Sequence, residues 1–232
     1  MYRLYIANKN YSSWSLRPWL LMRARGIPFE EMFVPFKDGA PGVNREAFRR
    51  FSPSALVPCL HDGETVVWES LAIAEYLAER HQGVWPADPA ARAWARSAAA
   101  EMHAGFTALR SNCSMSVGIR MRLHAVTPAL QRDLDRIGAL WGDGLARFGG
   151  PFLAGGEFTA VDAFYCPVAF RVQTYGLTLD ADATAYADRL LALPSMRDWE
   201  AAALGETWRE TDHEAEILAA GAVIEDRRAP PA

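Results

Sequence analysis

The stretch "LVPCLHDGETVVWES", residues 56–70, decides the fold. Asp62-Gly63 lies between two apolar runs, the pair that a two-residue hairpin turn selects. Strands are expected near 58–61 and 65–68. The residues that follow, "SLAIAEYLAERH" (70–81), place Leu71, Ala74, Leu77 and Ala78 at helical spacing, with Ser70 as the N-cap. A hairpin that feeds a helix closes an α/β unit. Upstream, "YRLYIA" (2–7) reads as a strand. "SLRPWLLMRARG" (15–26) reads as a helix, capped by Ser15, with Pro18 in its first turn and Gly26 as its stop. "FEEMFVPF" (29–36) is a second strand, and "GVNREAFRRFSP" (42–53) a short helix that ends before Pro53. The order is β-α-β-α-β-β-α.

Downstream the pattern changes. "QGVWPADP" (82–89) carries two prolines and a glycine and reads as a linker. Beyond it no strand pattern stands out; helical patterns cover 90–111, 128–147, 160–175, 183–192 and 195–203. Within them, "FTAVDA" carries Thr159 three residues ahead of Asp162, an acidic form of the capping box. Trp94, Trp141 and Trp199 read as core. The expected organisation is a small α/β domain over 1–82, a linker at 83–89, an all-helical domain over 90–222 and a disordered tail over 223–232.

Composition narrows the function. Half of the 232 residues are hydrophobic, enough for a sizeable core, and the net charge is -4. No basic run is present, so nucleic acid is not an expected partner. Cys59, Cys113 and Cys166 are odd in number and widely spaced, which suggests neither a disulfide framework nor a metal site. Cys59 reads as a packed residue rather than a reactive one. The N-terminus does not have the form of a signal peptide, and no apolar run reaches membrane-spanning length. A cytoplasmic protein is expected.

The turn before the first helix, "NYSSWSLRPW" (10–19), holds Ser12, Ser13 and Ser15. Together with "FSPSALVPCL", "WESLAIAEYLAER" and "GGEFTAVDA", in this order and at these spacings, it resembles the cytosolic glutathione transferases over nearly the whole chain. The family resemblance implies an N-terminal thioredoxin-like domain followed by an all-α domain, often as a homodimer active in detoxification. It implies glutathione as co-substrate, a small electrophile as second substrate, and no metal.

The implied roles have a physical basis. Ser70, at a helix start, can donate to the γ-glutamyl carboxylate of glutathione, and Glu69 can pair with its ammonium group. By pattern alone Ser70 is better read as a plain cap, and Glu69 as a solvated charge; the resemblance reverses that. The resemblance implies a cis bond at Val57-Pro58 and a Val57 backbone that pairs with the cysteinyl unit. A serine hydroxyl that donates to the sulfur favours the thiolate, the reactive form. "SSWSLR" resembles the zeta-like "SSCSWR" pattern, whose catalytic hydroxyl belongs to the first serine. That implies Ser12, with Ser13 as the alternative. Trp14 stands where zeta carries cysteine, and Glu69 where it carries glutamine; the first weighs against maleylacetoacetate isomerase activity. Lys37, ahead of Arg45 and Arg49, is the candidate for the glycyl carboxylate. Tyr11, Trp14, Phe106, Arg110 and Met115 are candidates for the electrophile site, and Arg110 could hold an anionic substrate; Arg120 lies in the same segment. Three functions stay open: a conjugating transferase, a glutathione-dependent isomerase, and a transferase-like module that binds without catalysis.

Overall fold

The computed structural model describes residues 1–36 and 44–231. Lys37 lies outside the described residues.

Residues 2–68 build a four-stranded mixed sheet. β1 (Tyr2–Ile6) pairs in parallel with β2 (Phe29–Phe33) and antiparallel with β3 (Cys59–Asp62), which turns at Asp62-Gly63 into β4 (Thr65–Trp68). The sheet order is β2-β1-β3-β4. Leu4 and Ile6 on β1, with Leu60 opposite Leu4, are fully buried, as the alternation of a half-buried strand requires. The connections are α1 (Ser13–Ala24) and α2 (Arg45–Phe48), and α3 (Ser70–Ala78) follows the hairpin. This is the thioredoxin-like arrangement.

Two caps differ from expectation. α1 begins two residues early, and its N-cap is Ser12 rather than Ser15. Ser12 Oγ accepts from the Ser15 N–H at 3.3 Å and donates to Ser15 Oγ at 2.7 Å. Ser15 Oγ in turn accepts from the Ala7 N–H at 3.3 Å, which ties the helix to the end of β1. Ser15 thus serves as a buried bridge, and Pro18 falls in the second turn. In α3 the cap position is Glu69, with φ 71 and no side-chain cap bond; Ser70 is the first helical residue and is fully buried.

The second half is helical: α4 (Pro89–Ala104), α5 (Thr107–Asn112), α6 (Pro128–Phe148), α7 (Ala160–Tyr175), α8 (Ala181–Leu191), α9 (Pro194–Leu204) and α10 (Thr211–Ala220). The expected 90–111 helix breaks at Gly105, where Phe106 takes φ 55. α7 runs through the centre, almost wholly buried, and packs on α1, α4 and α8. The capping box at its start is present: Asp162 accepts from the Thr159 N–H, the Leu153 N–H and the Tyr186 O–H, at 2.9, 2.9 and 2.7 Å. Trp141 and Trp199 are fully buried, whereas Trp94 is partly exposed and donates to Asp143.

The all-helical reading and the disordered tail need correction. β5 (Ile119–Leu123) pairs antiparallel with β6 (Gly221–Asp226), the strand that follows α10. Past it, Arg228 forms ion pairs with Glu214 at 2.5 Å and Asp226 at 2.8 Å, and the Ala229 N–H donates to the Leu204 carbonyl. Neither strand can bury a face without its partner, and about a hundred residues separate them, so local pattern does not report the pair.

Candidate active site

The start of α1, the Val57-Pro58 turn and the start of α3 meet the helical half at two adjoining cavities. One, of about 300 Å³, takes in Tyr11, Ser12, Ser13, Trp14, Val57, Arg110 and Met115. The other, of about 410 Å³, is lined by Trp14, Leu56, Val57, Pro58, Glu69 and His103. Trp14, Leu56 and Val57 belong to both, so the cavities form one bent cleft.

The two candidate serines differ in one decisive respect. Ser12 has its hydroxyl engaged as donor and acceptor in the cap. Ser13, the first residue of α1, has no hydrogen bond at Oγ among the described residues and lines the first cavity. Its hydroxyl sits at the positive end of a helix, where an anion is favoured.

Val57 precedes a cis peptide bond to Pro58, as the resemblance implies. Neither its N–H nor its C=O has a hydrogen-bond partner among the described residues, so both stand ready for an extended peptide. Glu69 projects into the second cavity. Its nearest cationic candidate is His103, 3.9 Å away. Burial, with the charges of Arg17 and Arg110 nearby, pushes the His103 imidazolium below its ordinary range. That shift weakens the ring as a cationic partner for Glu69.

Ser70 does not line either cavity. Behind it lies Arg17 of α1. Arg17 is 2% exposed, donates from Nη1 to Ser70 Oγ at 3.4 Å and stacks over Trp14 at 4.1 Å and Phe164 at 4.9 Å. It has no carboxylate within ion-pair distance among the described residues, and its Nε has no partner. Burial, aggravated by Arg110 and Arg171, holds its pKa well below the usual guanidinium range. The side chain was hard to foresee because its burial depends on α7, far along the chain.

On the helical wall, Arg110 donates to the carbonyls of Met102 and His103, and Arg171 to those of Cys113 and Pro167. Both reach the first cavity, and neither has a carboxylate in contact. Met115 is there as expected. Phe106 is not: it packs in the core away from both cavities. Arg120 lies on β5, near Glu200, outside the cleft. Arg45 and Arg49 are exposed and line neither cavity. The sequence reading missed His213, on α10, which stacks against Tyr11 and lines the first cavity. No helix of the described residues is long and apolar enough to cross a membrane.

Comparison with known proteins agrees with this geometry. The chain matches the family model of the glutathione S-transferase N-terminal domain over residues 11–80 and of the C-terminal domain over 120–203. It is 28% identical to glutathione S-transferase GstB of Escherichia coli strain K12 over 173 residues, 66% of this chain and 78% of that one. It is 43% identical to the dichloromethane dehalogenase of Methylorubrum extorquens over 58 residues, 25% of this chain but only 19% of the dehalogenase. A glutathione transferase homologue from Burkholderia, solved with bound glutathione, has the same fold, with a TM-score of 0.62 at 22% identity over 85% of this chain and 95% of that one. The chain belongs to the glutathione S-transferase family.

Proposed function

We propose that the protein conjugates glutathione to a small electrophile and that Ser13, not Ser12, is the donor to the sulfur. The observation that carries this reading is the uncommitted Ser13 hydroxyl at the start of α1, in a cleft whose next wall is the unpartnered Val57 backbone. Glutathione would lie along the bend. Its γ-glutamyl ammonium would meet Glu69, its cysteinyl amide would pair with Val57, and its sulfur would reach Ser13. Ser70 serves through its place at the α3 N-terminus. The glycyl end would extend toward the segment of Lys37.

The thiolate then attacks, a C–S bond forms, and the leaving group departs with its electron pair. Arg110 and Arg171, satisfied only by carbonyls, make that side of the cavity positive and favour an electrophile that bears a carboxylate or expels an anion. This preference also suits an isomerase acting on an unsaturated diacid, where the thiolate adds and then leaves. Incubation with glutathione and a halogenated carboxylic acid decides: equimolar thioether and halide, followed by mass spectrometry and halide release, support conjugation. Isomerisation of a cis-enediolic acid without glutathione consumption supports the second reading. Failure to bind glutathione leaves a non-catalytic module.

A further inference from the structure

The first cavity contains one group that the proposed chemistry has not used. His213, in the first turn of α10, has its Nδ1 2.6 Å from Glu210 Oε2, and the same oxygen accepts from the His213 N–H at 2.8 Å. Glu210 is fully buried, and its other oxygen, Oε1, has no partner. The imidazole stacks against Tyr11 at 5.0 Å and Phe36 at 4.8 Å. We infer that His213, oriented by Glu210, is the base that takes the proton from the glutathione thiol.

Three features lead there. A carboxylate at Nδ1 fixes the tautomer, so Nδ1 carries the proton and Nε2 presents its lone pair. Nε2 has no hydrogen-bond partner among the described residues, and the ring lines the cavity that holds Ser13. A buried carboxylate with one unsatisfied oxygen is costly, and a positive charge on the ring beside it offsets that cost. The other charged groups around the ring are committed or distant in role. Tyr11 donates to Glu214, which Arg228 holds in a bidentate pair; Glu216 accepts from Ser114; Arg110 and Arg171 stand on the cavity wall. A serine stabilises a thiolate but does not absorb the proton at neutral pH, so the proton passes either to solvent or to a base in the cleft, and His213 is placed to be that base. In balanced form, the S–H bond breaks, the electron pair stays on sulfur, and the proton moves to His213 Nε2. The thiolate and imidazolium then form an ion pair. Glu210 is a positioning residue that acts through the ring.

This inference rests on the proposed glutathione site, and a proton count separates the two. Glutathione binding is followed by calorimetry in buffers of different ionisation enthalpy at about pH 7.5, where an ordinary imidazole is mostly neutral. Thiolate absorbance is read in parallel. If His213 keeps the proton, the wild type forms thiolate with almost no proton released to buffer, whereas His213→Gln releases close to one proton for each thiolate formed. Glu210→Gln should fall between them. A wild type that forms thiolate and releases about one proton per site overturns the inference and leaves the proposed function standing. Absence of bound glutathione, or binding without thiolate, overturns both. The wild-type count decides even where a variant does not fold.

Discussion

Asp162 holds the start of α7, and its removal has a calculable cost. The carboxylate is fully buried and accepts from the Leu153 and Thr159 N–H groups and from the Tyr186 O–H. Burial pushes its pKa above the ordinary carboxyl range; the bonds from Leu153, Thr159 and Tyr186 pull the other way without cancelling it. Asp162→Ala leaves four buried donors without that acceptor, the Leu153 and Thr159 N–H groups and the Thr159 and Tyr186 hydroxyls, each at about 1–3 kcal/mol, partly relieved because the hydroxyls can turn elsewhere. A net loss of about 4 kcal/mol is expected, against a typical total of about 5–15 kcal/mol. For a chain of this size that lowers Tm by about 8–16 °C. Asp162→Asn keeps the shape and avoids the buried charge while it exchanges one acceptor for a donor, so its loss should be smaller. Chemical denaturation monitored by tryptophan fluorescence gives the midpoint shift at constant slope. A loss under about 1 kcal/mol for Asp162→Ala would refute the claim that this carboxylate organises the junction of α7 and α8.

Other consequences are open to direct test. Arg17→Met removes a buried cation without an ion-pair partner at similar volume, so stability should hold or rise. Thermal melting reads the effect, and a variant destabilised by more than about 2 kcal/mol contradicts the claim that this cation is a cost to the fold. Burial pushes the Cys59 thiol up to about 11 and the Cys113 thiol up to about 12, so a thiol reagent at about pH 8 should label the native protein only as fast as it unfolds. The same shifts mean that the unfolded chain ionises first on raising pH. Stability present below the ordinary thiol range is therefore lost progressively between about 8.5 and the folded values. Rapid native labelling, or no alkaline loss of stability, speaks against those buried thiols.

What was legible in the sequence was local. The Asp62-Gly63 hairpin, the helix after it and the Thr159/Asp162 box all rest on contacts within a few residues, and each is present. The serine turn was legible as a helix start, but the choice of cap was not. Ser12 and Ser15 are both good caps, and the selection depends on the Ala7 N–H at the end of β1. Long-range packing hid the rest. β5 and β6 stabilise each other across the whole helical half, and the tail is held through Arg228. Arg17 became buried only because α7 lies over α1, and Phe106 left the expected site because its left-handed backbone, at the N-cap of α5, turns it into the core. His213 lies in a helix that local periodicity did not single out, and its meaning comes from Tyr11 and Phe36, far away in sequence.

The measurement closest to the central claim is the ionisation of enzyme-bound glutathione, read by thiolate ultraviolet absorbance in the wild type, Ser13→Ala and Ser12→Ala. One charge-assisted hydrogen bond of about 1.5–3 kcal/mol corresponds to about one to two pKa units. The account predicts bound thiolate near neutral pH in the wild type and a rise of about that size in Ser13→Ala. Ser12→Ala should keep the wild-type thiol pKa and lose about 1 kcal/mol of stability with its cap. A bound thiol that stays protonated in the wild type, or a pKa that moves with Ser12 and not with Ser13, would contradict it.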